Sequence, residues 1–106
     1  MGLSLLKDIL ANWSGYELDD SIYLPAGSEP SLTLQVSVLP FDPLRKRIFE
    51  GQTYWLGIEQ IRDVIEGLQN QLSREATPDE RLRAVAHYAK FDAFIELADL
   101  LTLTQN

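Results

Sequence analysis

The chain has 106 residues, of which 45% are hydrophobic and 24% are charged, with no cysteine and a formal net charge of −7 at pH 7. This length supports one domain, and the composition excludes intrinsic disorder, a disulfide scaffold and a thiolate metal cluster. Direct binding to nucleic acid is not expected, because the net negative charge repels the phosphate backbone.

The negative charge is concentrated in the first part of the chain. Residues 1–43 contain six acids and one base, a net charge of −5, whereas residues 44–106 contain ten acids and eight bases, a net charge of −2. The one basic cluster, Arg45-Lys46-Arg47, is too short for a nucleic-acid patch and predicts a solvated turn.

The apolar start of the chain predicts neither a membrane span nor a signal peptide. Lys7 and Asp8 interrupt the apolar residues between Leu3 and Leu10. The absence of cysteine fits a reducing compartment, so a cytoplasmic location with no membrane partner is expected.

The first predicted element is a helix from Leu3 to Trp13. Leu6 and Leu10 continue the spacing of three to four residues that places apolar side chains on one helical face. Gly15 can adopt the left-handed conformation that ends such a helix.

Three β-strands are predicted next. The run Ser21–Leu24 is β-prone and stops at Pro25, and a hairpin-sized loop follows it. Residues Leu32–Val38 alternate strictly between apolar and polar side chains, which is typical of a strand with one face in the core. The third strand, Thr53–Ile58, is rich in aromatic and β-branched residues.

Two helices complete the predicted order. The first carries an apolar stripe at a period of 3.6, formed by Ile58, Ile61, Ile65, Leu68 and Leu72. The second opens at a capping box in which Thr77 is the N-cap and Glu80 the third residue after it. It can extend to about Leu103, or break near Lys90–Asp92 with Asp92 as a second cap. The order α-β-β-β-α-α predicts an α+β fold with a three-stranded antiparallel sheet and about three helices.

The sequence lacks most catalytic constellations. His87, the single histidine, lies in the last helix beside apolar positions and has no second histidine four residues away. No glycine-rich phosphate loop or nucleophile elbow is present in the sequence. We therefore expect no enzyme activity, no catalytic residues, no metal and no cofactor.

Two acidic surfaces remain as candidate binding sites. The first is the loop of Glu17, Asp19 and Asp20, with Glu29 across the predicted hairpin. The second is the stripe of Asp92, Glu96 and Asp99, which are spaced i, i+4 and i+7 on the last helix. Such carboxylates either form a solvated face or dock a basic partner.

Three short motifs give the chain a resemblance to a known family. The strand end Tyr23-Leu24-Pro25 is one, and the strand closed by a Pro/Asp turn from Val36 to Asp42 is another. The third is the Tyr-x-x-x-Asp-Ala-Phe-Ile pattern at residues 88–95. With these motifs the chain resembles a family of short bacterial single-domain proteins of unassigned function, although Arg45-Lys46-Arg47 stands where acids are expected.

In size, acidity and lack of catalytic parts, the chain is also similar to the immunity proteins of contact-dependent growth inhibition. That similarity of class implies a protein that binds and neutralises a basic toxin, above all a nuclease domain, by covering its active site. Tyr16 and Tyr54 are the expected exposed aromatic anchors of that contact. The alternatives are a structural module that oligomerises through its polar strand face or an open sheet edge, and a small ligand-binding protein or enzyme with a pocket that holds His87 and a carboxylate. The oligomeric state stays open.

Overall fold

The computed structural model describes residues 2–46 and 48–92. Its elements, in chain order, are β1 (Gly2–Leu5), α1 (Leu6–Ala11), a short 3₁₀ turn (Trp13–Gly15), β2 (Ser21–Pro25), β3 (Gln35–Leu39), β4 (Ile48–Phe49), β5 (Gln52–Gly57), α2 (Ile58–Leu72) and α3 (Pro78–Phe91). The protein is a small α+β domain with an antiparallel sheet and three α-helices among the described residues, which confirms the predicted class.

The sheet has more strands than the three predicted. Four strands of four to six residues lie in the order β1-β3-β2-β5, and the two-residue strand β4 extends the β5 edge. Each described pair is antiparallel. Both additional strands are very short, and a run of two to four residues carries too little periodicity to be identified from sequence.

The first helix begins at Leu6, three residues after its predicted start at Leu3. Leu3 and Leu5 pair with β3 opposite Ser37 and Gln35, so the chain is extended up to Leu5. Leu3-Ser4-Leu5 fits a period of two as well as one of 3.6, and pairing with β3 decides between them. Helix α1 then buries Leu6, Ile9 and Leu10 completely.

Strand β3 also begins later than the alternation predicts. The N–H of Leu34 donates to the carbonyl of Ser31 at 3.1 Å, which forms a turn where the sequence predicted strand. The carbonyls of Leu34 and Leu32 then accept from the first N–H groups of α1, at 2.9 and 3.0 Å. These residues are therefore used to cap a helix rather than to continue the sheet.

One face of the sheet packs against the three helices and forms the core. The strands contribute Ile22, Leu24, Val36 and Leu56 to this cluster. The helices contribute Leu6, Ile9, Leu10, Ile58, Ile61, Val64, Ile65, Leu68, Ala84 and Val85. The predicted stripe of α2 is confirmed except at Leu72, which is half-buried at the end of the helix.

The capping box of α3 is confirmed in both directions. The N–H of Glu80 donates to Thr77 Oγ1 at 3.2 Å, and the N–H of Thr77 donates to Glu80 Oε1 at 2.9 Å. The helix ends at Phe91, which confirms the break near residues 90–92. Asp92, expected as the cap of a following helix, ends α3 itself with a left-handed φ of 53°. The predicted continuation to about Leu103 lies outside the described residues.

A buried guanidinium joins the three helices. Arg81 is only 8% exposed, and its Nη1 donates to the carbonyl of Leu10 at the end of α1 at 2.6 Å. Its Nε donates to the carbonyl of Ala76 at 3.1 Å, and its Nη2 donates to Gln69 Oε1 of α2 at 2.9 Å. A longer contact of 3.4 Å joins Nη2 to the exposed Glu75 carboxylate. Burial of this charge is tolerated because most of its N–H groups have acceptors.

A second ion pair fixes the loop between α2 and α3. Arg74 donates from both terminal nitrogens to the two carboxylate oxygens of Glu80, at 2.8 and 2.7 Å. These hydrogen bonds, with that from the Thr77 N–H, lower the pKa of Glu80 from 4.5 to about 2. Glu80 is therefore ionised in the folded protein at any pH near neutrality, although it is only 7% exposed.

Arg81→Met should lower the free energy of unfolding by about 3 kcal/mol, because the carbonyls of Leu10 and Ala76 and the side-chain oxygen of Gln69 lose a charged donor. Urea denaturation followed by circular dichroism measures this loss. Arg83→Met is the matched control, because no partner for Arg83 Nε is found among the described residues, and it should cost less than about 1 kcal/mol. Equal losses in the two variants would contradict the role given to Arg81.

Glu80 should make stability fall in acid. Because its pKa is lower in the folded chain than in the unfolded one, its contribution is complete above pH 4.5 and is lost as the pH falls towards about 2. Between about pH 6 and pH 2.5 the wild type should lose about 2 kcal/mol more than Glu80→Gln. Arg74→Gln removes the largest cause of the shift and should reduce the pH dependence similarly. A wild-type pH profile in either variant would refute this assignment.

Candidate functional site

The predicted acidic loop is a compact turn. The N–H of Asp20 donates to the carbonyl of Glu17 at 3.0 Å, and the N–H of Glu17 donates to Asp20 Oδ2 at 3.1 Å. Asp20 is half-buried by this arrangement, whereas Glu17 and Asp19 are exposed. The Asp20 carboxylate therefore shapes the turn, and the other two are presented to solvent.

The loop is fastened to the beginning of α2. The N–H of Ile58 donates to the carbonyl of Asp20 at 2.9 Å, and the N–H of Glu59 donates to the carbonyl of Leu18 at 3.1 Å. These bonds satisfy two of the N–H groups that a helix leaves free at its first turn. The positive end of the helix dipole also favours the acids placed there.

Helix α2 adds three carboxylates that the sequence interpretation missed. Glu59, Asp63 and Glu66 are exposed and spaced i, i+4 and i+7, the same spacing that was noticed in the last helix. This spacing is visible in the sequence, but Arg62 lies within the stripe and reduces its net charge. We call the six acids of the loop and the helix the acidic face: Glu17, Asp19, Asp20, Glu59, Asp63 and Glu66.

The acidic face is only partly neutralised. Arg62 donates to Asp63 Oδ1 from Nε at 3.0 Å and from Nη2 at 2.9 Å, and its Nη2 lies 3.8 Å from Glu59 Oε1. The hydrogen bond to Asp63, above all, raises the pKa of the Arg62 guanidinium. Within the described ranges, Arg62 is the one base paired with these acids. Six carboxylates and one guanidinium leave a local net charge of −5.

The other predicted acids lie elsewhere. Glu29 follows the far end of β2, and the five residues of that strand span roughly 16 Å at about 3.3 Å per residue. Glu29 lines a groove with Lys90, so a positive charge accompanies it and it does not join the acidic loop. Asp92 is exposed at the end of α3, while Glu96 and Asp99 lie outside the described residues.

The two tyrosines expected to be exposed are half-buried. Tyr16 packs against the core. Tyr54 lies edge-to-face with Tyr23, with ring centroids 5.7 Å apart, and its hydroxyl donates to Gln60 Oε1 at 3.3 Å. The exposed apolar side chain next to the acids is Leu18, at 44%.

A second surface lies against the sheet face opposite the core. The β3–β4 connection folds over the tyrosine pair, because Tyr23 Oη donates to the carbonyl of Lys46 at 3.3 Å and Arg45 Nη1 donates to that of Pro40 at 2.7 Å. A groove of about 290 Å³ is left beneath it. We call it the aromatic groove; it is lined by Ser21, Tyr23, Phe41, Asp42, Pro43, Arg45 and Tyr54.

This connection was predicted to be a solvated turn. Lys46 is exposed as expected, Arg45 is half-buried over the Tyr23 ring at 6.0 Å, and Arg47 lies outside the described residues. The N–H of Leu44 donates to Asp42 Oδ1 at 2.9 Å, so an aspartate side chain stabilises the turn itself. The groove depends on β2–β5 pairing, which the sequence did not reveal.

Other types of site have little support in the described part of the chain. His87 is half-buried in α3, and its ring centroid lies 4.8 Å from that of Phe91, which is a packing contact. No group of three metal-ligating side chains occurs among residues 2–46 and 48–92. Nor does any helix in those ranges combine the length and apolarity that crossing a bilayer requires.

Comparison with known proteins gives one result. No curated protein and no solved structure matches the chain significantly. A family model described as "Domain of unknown function (DUF7716)" matches residues 3–97, nearly the whole chain. This agrees with the resemblance to a family of unassigned function, and it gives no link to immunity proteins. The chain belongs to the family described as Domain of unknown function (DUF7716).

Proposed function

We propose that the protein is a binding protein that presents the acidic face to a basic partner protein and inhibits that partner by covering its functional surface. The partner class that fits best is a nuclease toxin domain, since a cleft that binds phosphates must itself be basic. The observation that supports this proposal is the docking of the Glu17–Asp20 turn on the beginning of α2, which places the loop acids beside the helix that carries Glu59, Asp63 and Glu66.

The charge of this face suits rapid association. A local net charge of −5 creates a negative potential that attracts a basic surface before contact and raises the association rate by a factor of about 10 to 1,000 at low salt. Its partly solvated charges contribute more to association rate and specificity than to affinity. Loss of these charges is therefore expected to change the association rate more than the affinity.

The acids are held on a rigid support. The backbone of the turn is fixed by its own hydrogen bonds and by those to α2, and the α2 acids project from a helix whose opposite side is fully packed. Little backbone ordering is then needed on binding, which reduces the entropic cost of association. Leu18, exposed between Glu17 and Asp19, provides an apolar contact within the loop part of the face.

The partner is sought by immobilising the chain and passing over it a lysate of the native host at low salt. The test variant, Glu59→Gln/Asp63→Asn/Glu66→Gln, removes the three charges of the α2 stripe. The control, Glu29→Gln/Glu50→Gln/Asp92→Asn, removes three exposed charges elsewhere. The captured protein is identified, purified and assayed for cleavage of DNA and RNA with and without the chain.

We expect the wild type to block nucleic-acid cleavage at a 1:1 ratio. The α2 variant should associate at least about tenfold more slowly, and the control within about twofold of the wild type, because only the first variant weakens the local field. Stopped-flow or surface plasmon resonance gives these rates. Unchanged rates for the α2 variant, or a captured partner whose activity the chain leaves intact, would refute the proposal.

A further inference from the structure

The rim of the aromatic groove is unusually apolar for a surface. Phe41, Leu44 and Ile48 are 61%, 90% and 68% exposed, and they are three of the six large hydrophobic side chains found exposed in the described part of the chain. All three lie within eight consecutive residues: Phe41, which lines the groove, and Leu44 belong to the β3–β4 connection, and Ile48 begins β4 directly after it. Clustered exposure of this kind marks an interaction surface.

The charges of this region are opposite to those of the acidic face. Arg45 lies on the groove wall and Lys46 is exposed next to it. Asp42, whose carboxylate accepts the Leu44 N–H, also lines the groove, so Arg45, Lys46 and Asp42 together leave a local net charge of +1. The groove therefore suits an acidic segment that carries a bulky apolar side chain, which would enter between the aromatic rings while its carboxylates meet the cations.

The chain itself carries such a segment. In Glu17-Leu18-Asp19, two exposed carboxylates flank a leucine that is 44% exposed. The hydrogen bonds from α2 to Leu18 and Asp20 hold this segment on the helix rather than over its own groove. It is therefore presented outward in a fixed conformation, which suits contact with a second copy.

The position of the two surfaces permits a closed assembly. Asp20 ends the acidic loop, and the next residue, Ser21, lines the groove, so both surfaces lie at the same end of β2. A two-fold axis between them places each loop opposite the groove of the other copy. Both contacts then form at once, and the assembly stops at two copies instead of growing into a filament.

We propose that the chain forms a two-fold symmetric dimer in which Leu18 of each copy enters the aromatic groove of the other, with Glu17 and Asp19 facing Arg45 and Lys46. This inference goes beyond the proposed function, since it needs no other protein. It is tested on the purified chain alone, so its failure is independent of whether a basic partner exists.

The test uses two variants that invert the local charge at exposed positions; in the second, Lys46 is reversed and an acid is added at Leu44. The loop variant is Glu17→Lys/Asp19→Lys, and the groove variant is Leu44→Glu/Lys46→Glu. Sedimentation velocity from about 1 to about 500 µM measures the dissociation constant of the dimer. We expect the wild type to reach twice its 12.0 kDa mass within this range, and each variant alone to weaken dimerisation by at least about 30-fold.

Mixing the two variants is the decisive measurement. In a mixed dimer, one contact is entirely native and the other has both charges reversed, so the equimolar mixture should dimerise while neither component does. The control Glu29→Lys makes the same kind of reversal at the far end of β2 and should dimerise like the wild type.

Three results would overturn the proposal: a wild type that stays monomeric, a dimer that neither variant weakens, or variants that stay apart when mixed. Circular dichroism and urea denaturation verify that each variant is folded. If one of the charge variants is not folded, it is replaced by Leu18→Ser or Leu44→Ser, each of which removes only an exposed apolar side chain. Both must weaken the dimer for the proposal to stand.

Discussion

The arrangement of the helices depends on one buried guanidinium. Helix α1 has six residues, too few to be stable in isolation, and the carbonyl of Leu10 near its end is bound by Arg81 of α3. The same guanidinium reaches Gln69 of α2 and the carbonyl of Ala76. Because an unpaired charge in this position would be very costly, the three helices are stable only in the arrangement that supplies these acceptors. The support that presents the α2 acids therefore rests on a side chain outside the candidate site.

The acids of this chain divide according to what their oxygens contact. Glu80 binds Arg74 and the Thr77 N–H, and Asp20 closes the turn that precedes β2, so both carboxylates stabilise the fold. Asp19 and Glu66 have exposed side chains that keep their charge available to solvent. A count of acids in the sequence does not separate the two groups. Hydrogen-bond partners do, and several of the acids left after that separation, such as Asp19 and Glu66, belong to the loop and to α2.

The two proposals use neighbouring parts of one surface. The loop of residues 17–20 belongs to the acidic face and is also the segment proposed to enter the groove of a second copy. A basic partner that covers the loop would compete with the dimer, whereas one that contacts only the α2 stripe would bind both forms. Association with itself would then keep Leu18 and the rim of the groove out of water when no partner is present. The exposed apolar residues of Phe41–Ile48 and the charged loop therefore take part in the same proposed contact between two copies.

The sequence by itself determined those features that rest on local spacing. The capping box at Thr77, the buried stripe of α2 and the α+β class all follow from patterns within a few residues. The acidic loop was also visible, and the stripe of Glu59, Asp63 and Glu66 was readable although it was missed. Tertiary structure decided the rest. Leu3-Ser4-Leu5 fits either period until β3 pairs with it, Ser37 becomes buried between neighbouring strands despite its polar place in the alternation, and Tyr54 turns inward against Tyr23. The loop is joined to α2 by hydrogen bonds between residues about forty positions apart in the sequence. Such contacts depend on which segments the folded chain brings together, and no local pattern encodes that choice.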